Sequence, residues 1–185
     1  MATIAGARSR VLKADLGSPA LGATTDVHAA VTDDGTEQTI TTGFTNPPTP
    51  RNVTATSGGT AGDIKAIQVT VTGTGADDEA LTEVLPVFTV NSATTVVGAK
   101  AFKTVTQVVI PAHDGTGATT AFGLGSKLGL GVTLGRDTVI NGYLTGVLES
   151  TRPTVAFNAT DVESNTVDLN SALDGSAVVV DYYLD

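Results

Sequence analysis

Ile64-Lys65-Ala66-Ile67-Gln68-Val69-Thr70-Val71-Thr72-Gly73 opens the stretch that decides the fold, which runs on through Ala80–Val90 to Phe102-Lys103-Thr104-Val105-Thr106-Gln107-Val108-Val109-Ile110. Ile67, Val69 and Val71 share one parity, and Gln68, Thr70 and Thr72 share the other. That period of two is the pattern of a half-buried strand. The turn Gly73-Thr74-Gly75-Ala76-Asp77-Asp78-Glu79 follows. In Ala80–Val90, Leu81 and Leu85 fall in phase with Glu83, whereas Val84, Phe88 and Val90 fall in phase with Pro86. The face switches near Pro86, which has no N–H to give a ladder, so an edge strand or a bulge is expected there. Phe102–Ile110 slips in the same way, with Phe102, Val108 and Ile110 on one parity and Val105 and Val109 on the other. Burial on two faces would give the same pattern. No reactive constellation lies on these runs.

Working outward, Thr (32), Val (23) and Ile (6) supply a third of the 185 residues. β-Branched side chains lose freedom in a helix and pack well on a pleated sheet. Val27–Val31 and Glu37–Thr42 flank Asp34-Gly35, a preferred tight-turn pair, and predict a hairpin. Asn46-Pro47-Pro48-Thr49-Pro50 then interrupts, because three prolines in four residues cannot join a ladder. This divides the chain into an N-terminal arm and hairpin, residues 1–45, and a body, residues 46–185. The arm's first 25 residues are read as extended, ordered by a partner or by lying across the domain. Within the body, Arg51–Thr56, Thr138–Leu148, Pro153–Phe157 and a terminal run alternating Val178, Val180, Tyr182 and Leu184 read as strands. Gly-rich 121–135 has no clear strand pattern. Nine to eleven strands at about ten-residue spacing predict an all-β fold, an antiparallel β-sandwich of jelly-roll or Ig-like type with an extended N-terminal arm.

A formal charge of −9 with ten Lys and Arg spread along the chain argues against nucleic-acid binding. Residues 1–20 depart from that balance, with Arg8, Arg10 and Lys13 against Asp15 alone. A basic terminus on an acidic body suits contact with an acidic neighbour, though a solvated terminus fits equally well. There is no cysteine, hence no disulfide and no thiolate ligand, which leans towards synthesis inside a cell. The first residues lack signal-peptide order, and no run approaches the length of a membrane span.

The chemical candidates are thin. His113-Asp114 sits in a Gly-rich loop where the acid is placed to orient an imidazole, but a surface histidine is the simpler reading. His28 is distant in sequence. Asp33-Asp34, Asp77-Asp78-Glu79 and Asp161/Glu163 lack the ligand spacing of a calcium loop and read as solvated turn acids. Gly123-Leu124-Gly125-Ser126-Lys127 has Ser before Lys and no strand-then-helix context, so it is not a phosphate loop. Two Asn-x-Thr sequons, at Asn52 and Asn158, are chance matches in a Thr-rich chain. No catalytic residue, metal or cofactor is expected.

Asn46-Pro47-Pro48-Thr49-Pro50-Arg51-Asn52-Val53-Thr54-Ala55-Thr56 resembles a segment of the virion structural proteins of tailed bacteriophages. Val71-Thr72-Gly73-Thr74 with Ala80-Leu81-Thr82-Glu83-Val84-Leu85-Pro86 is similar to the same proteins. So are Ala101-Phe102-Lys103-Thr104-Val105-Thr106 with Ile110-Pro111, and the tail Thr166–Asn170 through Val180–Tyr183. The resemblance covers most of residues 46–185. It implies a non-enzymatic head decoration (cement) protein on the capsid surface of the virion, made in the host cytoplasm. Its partner would be the major capsid protein, with clustering as homo-oligomers, trimers being the natural guess. Neither nucleic acid nor membrane would be a partner. Affinity would come from repeated contacts and avidity, with Arg8, Arg10, Lys13 and Arg51 as the expected partner contacts. The alternatives are a tail, neck or fibre-associated component, or a carbohydrate-binding sandwich attaching the particle to its host. The absence of Trp counts against the last.

Overall fold

A computed structural model describes residues 10–184. Fourteen strands and two single-turn 3₁₀ helices, Ala61–Asp63 and Val162–Ser164, make up its regular structure. The strands in chain order are β1 (Leu12–Asp15), β2 (His28–Thr32), β3 (Gln38–Ile40), β4 (Arg51–Gly59), β5 (Thr70–Thr74), β6 (Ala80–Val84) and β7 (Thr95–Phe102). After them come β8 (Thr104–Ile110), β9 (Ala118–Gly129), β10 (Val139–Leu144), β11 (Val147–Leu148), β12 (Thr154–Ala156), β13 (Thr166–Asp168) and β14 (Val178–Tyr182). All pairings are antiparallel. The fold is therefore an all-β antiparallel sandwich, as the composition and spacing predict.

One sheet runs β12-β13-β9-β4-β7, with β2 also on β9, and faces a second that runs β3-β8-β5-β6. Between them lies a core of Val53, Ala55, Phe102 and Phe122 against Val71, Leu81, Val105, Val108 and Ile110. A third sheet, β1-β14-β10-β11, closes a separate core in which Leu12, Leu16, Val139, Val178, Val180 and Tyr182 meet Leu128 and Val167. The twelve-residue β9 joins the two, giving Phe122 to the first core and Leu128 to the second.

The phase slips have structural causes. Leu81 and Leu85 are buried, strand β6 ends at Val84, and Phe88 re-enters the core three residues beyond Leu85. The chain steps past Pro86 while Leu85 N–H still donates to Val69 O (2.9 Å) and Phe88 N–H to Ile67 O (3.0 Å). β6 is an edge strand, as proline there requires. In β8 the pairing with β5 jumps from Thr72↔Gln107 to Gly73↔Val105. This bulge turns Val105 to the same side as Val108 and Ile110. Phe102 is not part of that run, because it ends β7 in the opposite sheet and the chain crosses over at Lys103.

Two expectations need correction, and the arm's end is ordered by lying along the domain, one of the two ways expected. β2 and β3 form, and Gly35 takes φ +84° in the turn between them, but they do not pair as a hairpin. β2 joins β9 and β3 joins β8. The turn sends the chain across the sandwich, because each strand finds a longer apolar partner in a different sheet. Thr138–Leu148 is not one strand either. It folds back at Thr145-Gly146 (φ +56° and +74°), the positive pair of a two-residue hairpin, and its alternation is shifted by a bulge at Ile140. Residues 12–15, read as part of an extended arm, are a strand beside β14.

Candidate interaction surface

The outer face of β3-β8-β5-β6 follows from the alternation that built its core. With Val71, Gly73, Leu81, Val105 and Val108 turned inward, Thr70, Thr72, Thr74, Thr82, Thr104 and Thr106 are left outside with Val84 and Val109. Their hydroxyls pair across the strands, Thr74 with Thr104 at 2.8 Å and Thr72 with Thr82 at 3.3 Å, leaving methyl groups between. β3, β5 and β8 contain no charged residue, and β6 contains only Glu83. A charge-free sheet face on a chain of net charge −9 is an unusual surface. Val84 (56% exposed), Val87, Val90 and, on β7, Val97 extend it around the side where both sheets end. Exposed apolar side chains grouped near a charge-free sheet face are candidates for an interaction site.

Glu83 closes that side. Its carboxylate reaches from β6 to the bulge in β7, accepting Ala99 N–H at 2.6 Å and Lys100 N–H at 3.3 Å. Burial pushes the Glu83 carboxyl above its ordinary value, outweighing these backbone bonds and the charges of Lys100 and Lys127. A carboxyl raised on folding holds its proton more tightly in the folded state. The stability tied to it is thus present at low pH and is lost as pH rises through the folded value. Glu83→Gln, which keeps an acceptor and removes the charge, is expected to match or exceed the wild type in denaturant midpoint at neutral pH. Glu83→Ala leaves both amides unpaired and is expected to cost about 1–3 kcal/mol. Urea titrations of both variants check this.

The expected partner contacts divide. Arg8 lies outside the described residues. Arg10 is exposed, and Lys13 on β1 has its side chain 72% exposed, 3.6 Å from Asp181 Oδ1 and 5.5 Å from the Tyr143 ring centroid. Arg51 is 1% exposed, and its expectation as a surface contact is corrected. Its Nη1 donates to Ala20 O (3.0 Å), and Nε (2.7 Å) and Nη2 donate to Gly125 O. Burial holds its pKa down, with Asp26 opposing. The guanidinium fork ties the 19–26 loop to β9, and no periodicity distinguishes such a residue from a surface arginine at a strand start. Beside it, Arg51, Ala20, Leu21, Asp26, Pro48 and Leu124 line a shallow cleft of about 220 Å³.

The other candidates take structural places. His113 is buried rather than a surface residue, and its partners are Lys65 N–H, Thr120 and Asp33, while Asp114 pairs with Lys65 Nζ at 3.2 Å. His28 packs on Phe44 at 5.3 Å. Asp34, as read, is an exposed turn acid bonded to Thr36, but Asp33 is buried and caps Gly35 N–H. Asp78 pairs with Lys103 (2.6 Å). The Ser164 hydroxyl and then Lys100 hold Asp161 below the usual carboxylate range, and Glu163 is buried. Among the described residues, no group of three or more acids and histidines is placed to hold a metal ion. No helix among the described residues is long and apolar enough to cross a membrane.

Sequence reasoning missed the threonine face, although its signal was present. Thr70-Val71-Thr72-Gly73-Thr74 and Thr104-Val105-Thr106 have no charge on either parity. Compared with known family models, curated proteins and solved structures, the chain matches none.

Proposed function

We propose that this protein is a non-enzymatic structural component of a tailed-phage virion, a decoration protein that binds the capsid exterior and stabilises the head. The carrying observation is the charge-free threonine and valine face with its apolar rim at Val84, Val87, Val90 and Val97. Such a face joins a neighbour without the desolvation of ions that a charged face requires. The basic residues before and in β1 add steering towards an acidic shell. Repetition over many sites turns modest single contacts into stable coverage.

The test is binding of purified protein to expanded heads. Deleting residues 1–20 would strip β1 and Leu16 from the second core, so charge reversal is the cleaner variant. Saturable binding is expected, weakened about tenfold in Arg8→Glu/Arg10→Glu and again in Val84→Lys/Val87→Lys. Binding to tails and not heads, or to neither, overturns the reading.

A further inference from the structure

His113 stands where three parts of the chain meet at one end of the first core. The residue is 6% exposed, with its ring 6.2 Å from that of Phe88, centroid to centroid. Lys65 N–H donates to Nδ1 at 3.1 Å, so the hydrogen-bond network assigns the ring proton to Nε2, 3.2 Å from Thr120 Oγ1. The backbone N–H of His113 donates to Asp33 Oδ2 at 2.9 Å, and the other Asp33 oxygen accepts Gly35 N–H at 2.8 Å. One residue thus holds the segment after Ala61–Asp63, the start of β9 and the β2–β3 turn.

The charged groups around it are Asp33, Asp114, Lys65 and Asp63. Asp114 is paired with Lys65. Asp63 accepts Gly117 N–H at its carboxylate (3.0 Å) and Asp114 N–H at its carbonyl (3.1 Å). Both oxygens of Asp33 already hold backbone amides. None of these acids makes a hydrogen bond to the imidazole itself.

We infer that His113 is an acid-sensitive latch, in which a proton from solvent arriving at Nδ1 sets N–H against Lys65 N–H and breaks the ring's tie to the segment after Ala61–Asp63. Apart from the N–H bond formed at Nδ1 by the proton that a solvent hydronium gives up, no covalent bond changes. The lost contact is the ring's hydrogen bond to residue 65, whose chain neighbours Ile64 and Ile67 are buried, as is Phe88 beside the ring. Acid would therefore loosen the backbone at Lys65 locally, while the bonds from Phe88 N–H to Ile67 O (3.0 Å) and from Asn91 N–H to Ile64 O (2.9 Å) hold and the sheets stay paired. Burial lowers the ring's pKa from its ordinary 6.5, outweighing Asp33 and Asp114. A histidine lowered in this way binds its proton more weakly when folded. The stability tied to it is full above 6.5 and is lost as pH falls from there towards the folded value.

Amide exchange of the full chain, followed residue by residue from pH 7.5 to 5 and corrected for intrinsic rates, tests the latch. The opening equilibrium at Lys65 is expected to rise by up to about tenfold per pH unit below 6.5 until the folded value is passed. His113→Asn keeps an acceptor near the Nδ1 position and cannot titrate, so its profile at Lys65 should be flat. Unchanged wild-type protection over this range, or a His113→Asn profile that follows the wild type, overturns the inference. If His113→Asn does not fold, the wild-type imidazole nitrogen shifts decide. An Nε2–H tautomer at pH 7.5, gaining its Nδ1 proton in step with Lys65 opening, supports the latch, and an Nδ1–H tautomer at pH 7.5 overturns it.

Discussion

Arg51→Met is expected to destabilise the protein by roughly 3–5 kcal/mol, read as a lower denaturant midpoint. The side chain's volume and apolar stem are retained, so the loss isolates the guanidinium. Removing it strips Gly125 O and Ala20 O of a charged donor in part-buried surroundings, at about 1.5–3 kcal/mol for each charge-assisted bond. Arg51→Lys keeps the charge but cannot reproduce the fork that reaches two carbonyls on separate segments, and is expected to lose most of the same stability. A variant that loses head binding while keeping its full stability would restore Arg51 to the partner surface. Against a whole-domain stability of about 5–15 kcal/mol, the expected loss is large enough to be decisive.

Asn52→Leu is the second large effect, with an expected loss of about 2–5 kcal/mol. Opposite Asn52 both neighbours of β4 bulge. β9 places Gly125, Ser126 and Lys127 between the partners of Val53 and Arg51, and β7 places Gly98, Ala99 and Lys100 between the partners of Thr54 and Asn52. The fully buried amide fills the gap, donating from Nδ2 to Gly98 O (2.9 Å) and accepting Lys127 N–H at Oδ1 (3.0 Å). Leucine leaves two buried main-chain groups without partners, and aspartate sets a carboxylate against Gly98 O. Asn52→Asp is therefore expected to be destabilised at neutral pH and to recover partly in acid, when its protonated carboxyl regains a donor. Gly125 belongs to this arrangement, since a Cβ there would overlap the Asn52 amide. Thermal melts at two pH values separate the two variants.

Strand identity was legible wherever one face alone is buried. Val178, Val180 and Tyr182 keep strict alternation because solvent covers their other side, and so do Ile67, Val69 and Val71, although β5 itself begins only at Thr70 and Ile67 and Val69 precede it. The bulge in β8 was legible as a phase slip, since one extra residue exchanges the faces of all that follow, whereas those in β7, β9 and β10 were not. β9 was not legible. Flanked by β4 on one side and β2 and β13 on the other, it is buried over most of its length, and its glycines answer neighbours such as the 22–24 segment over Gly123 that no local pattern announces. The interaction face was half legible, because absence of charge can be counted in a sequence but the side a strand presents depends on its partners. Arg51 and His113 were misplaced for one reason: a polar side chain is buried where distant segments bring it acceptors and donors, and those segments lie between 31 and 80 positions away for the bonds of Arg51 to Gly125 and Ala20 and of His113 to Lys65 and Asp33.

The sequence by itself determined that this chain is all-β and where several of its strands lie, because those properties follow from side-chain period and turn chemistry within a few residues. Tertiary structure alone decided that β2 and β3 part to opposite sheets and that residues 12–15 pair with the last strand. It also decided that there are two cores and that Arg51, Asn52 and His113 lie inside. Each depends on which distant apolar strand or unpaired main-chain group a segment meets, and pairing energies between segments far apart in the chain leave no periodic trace in either one.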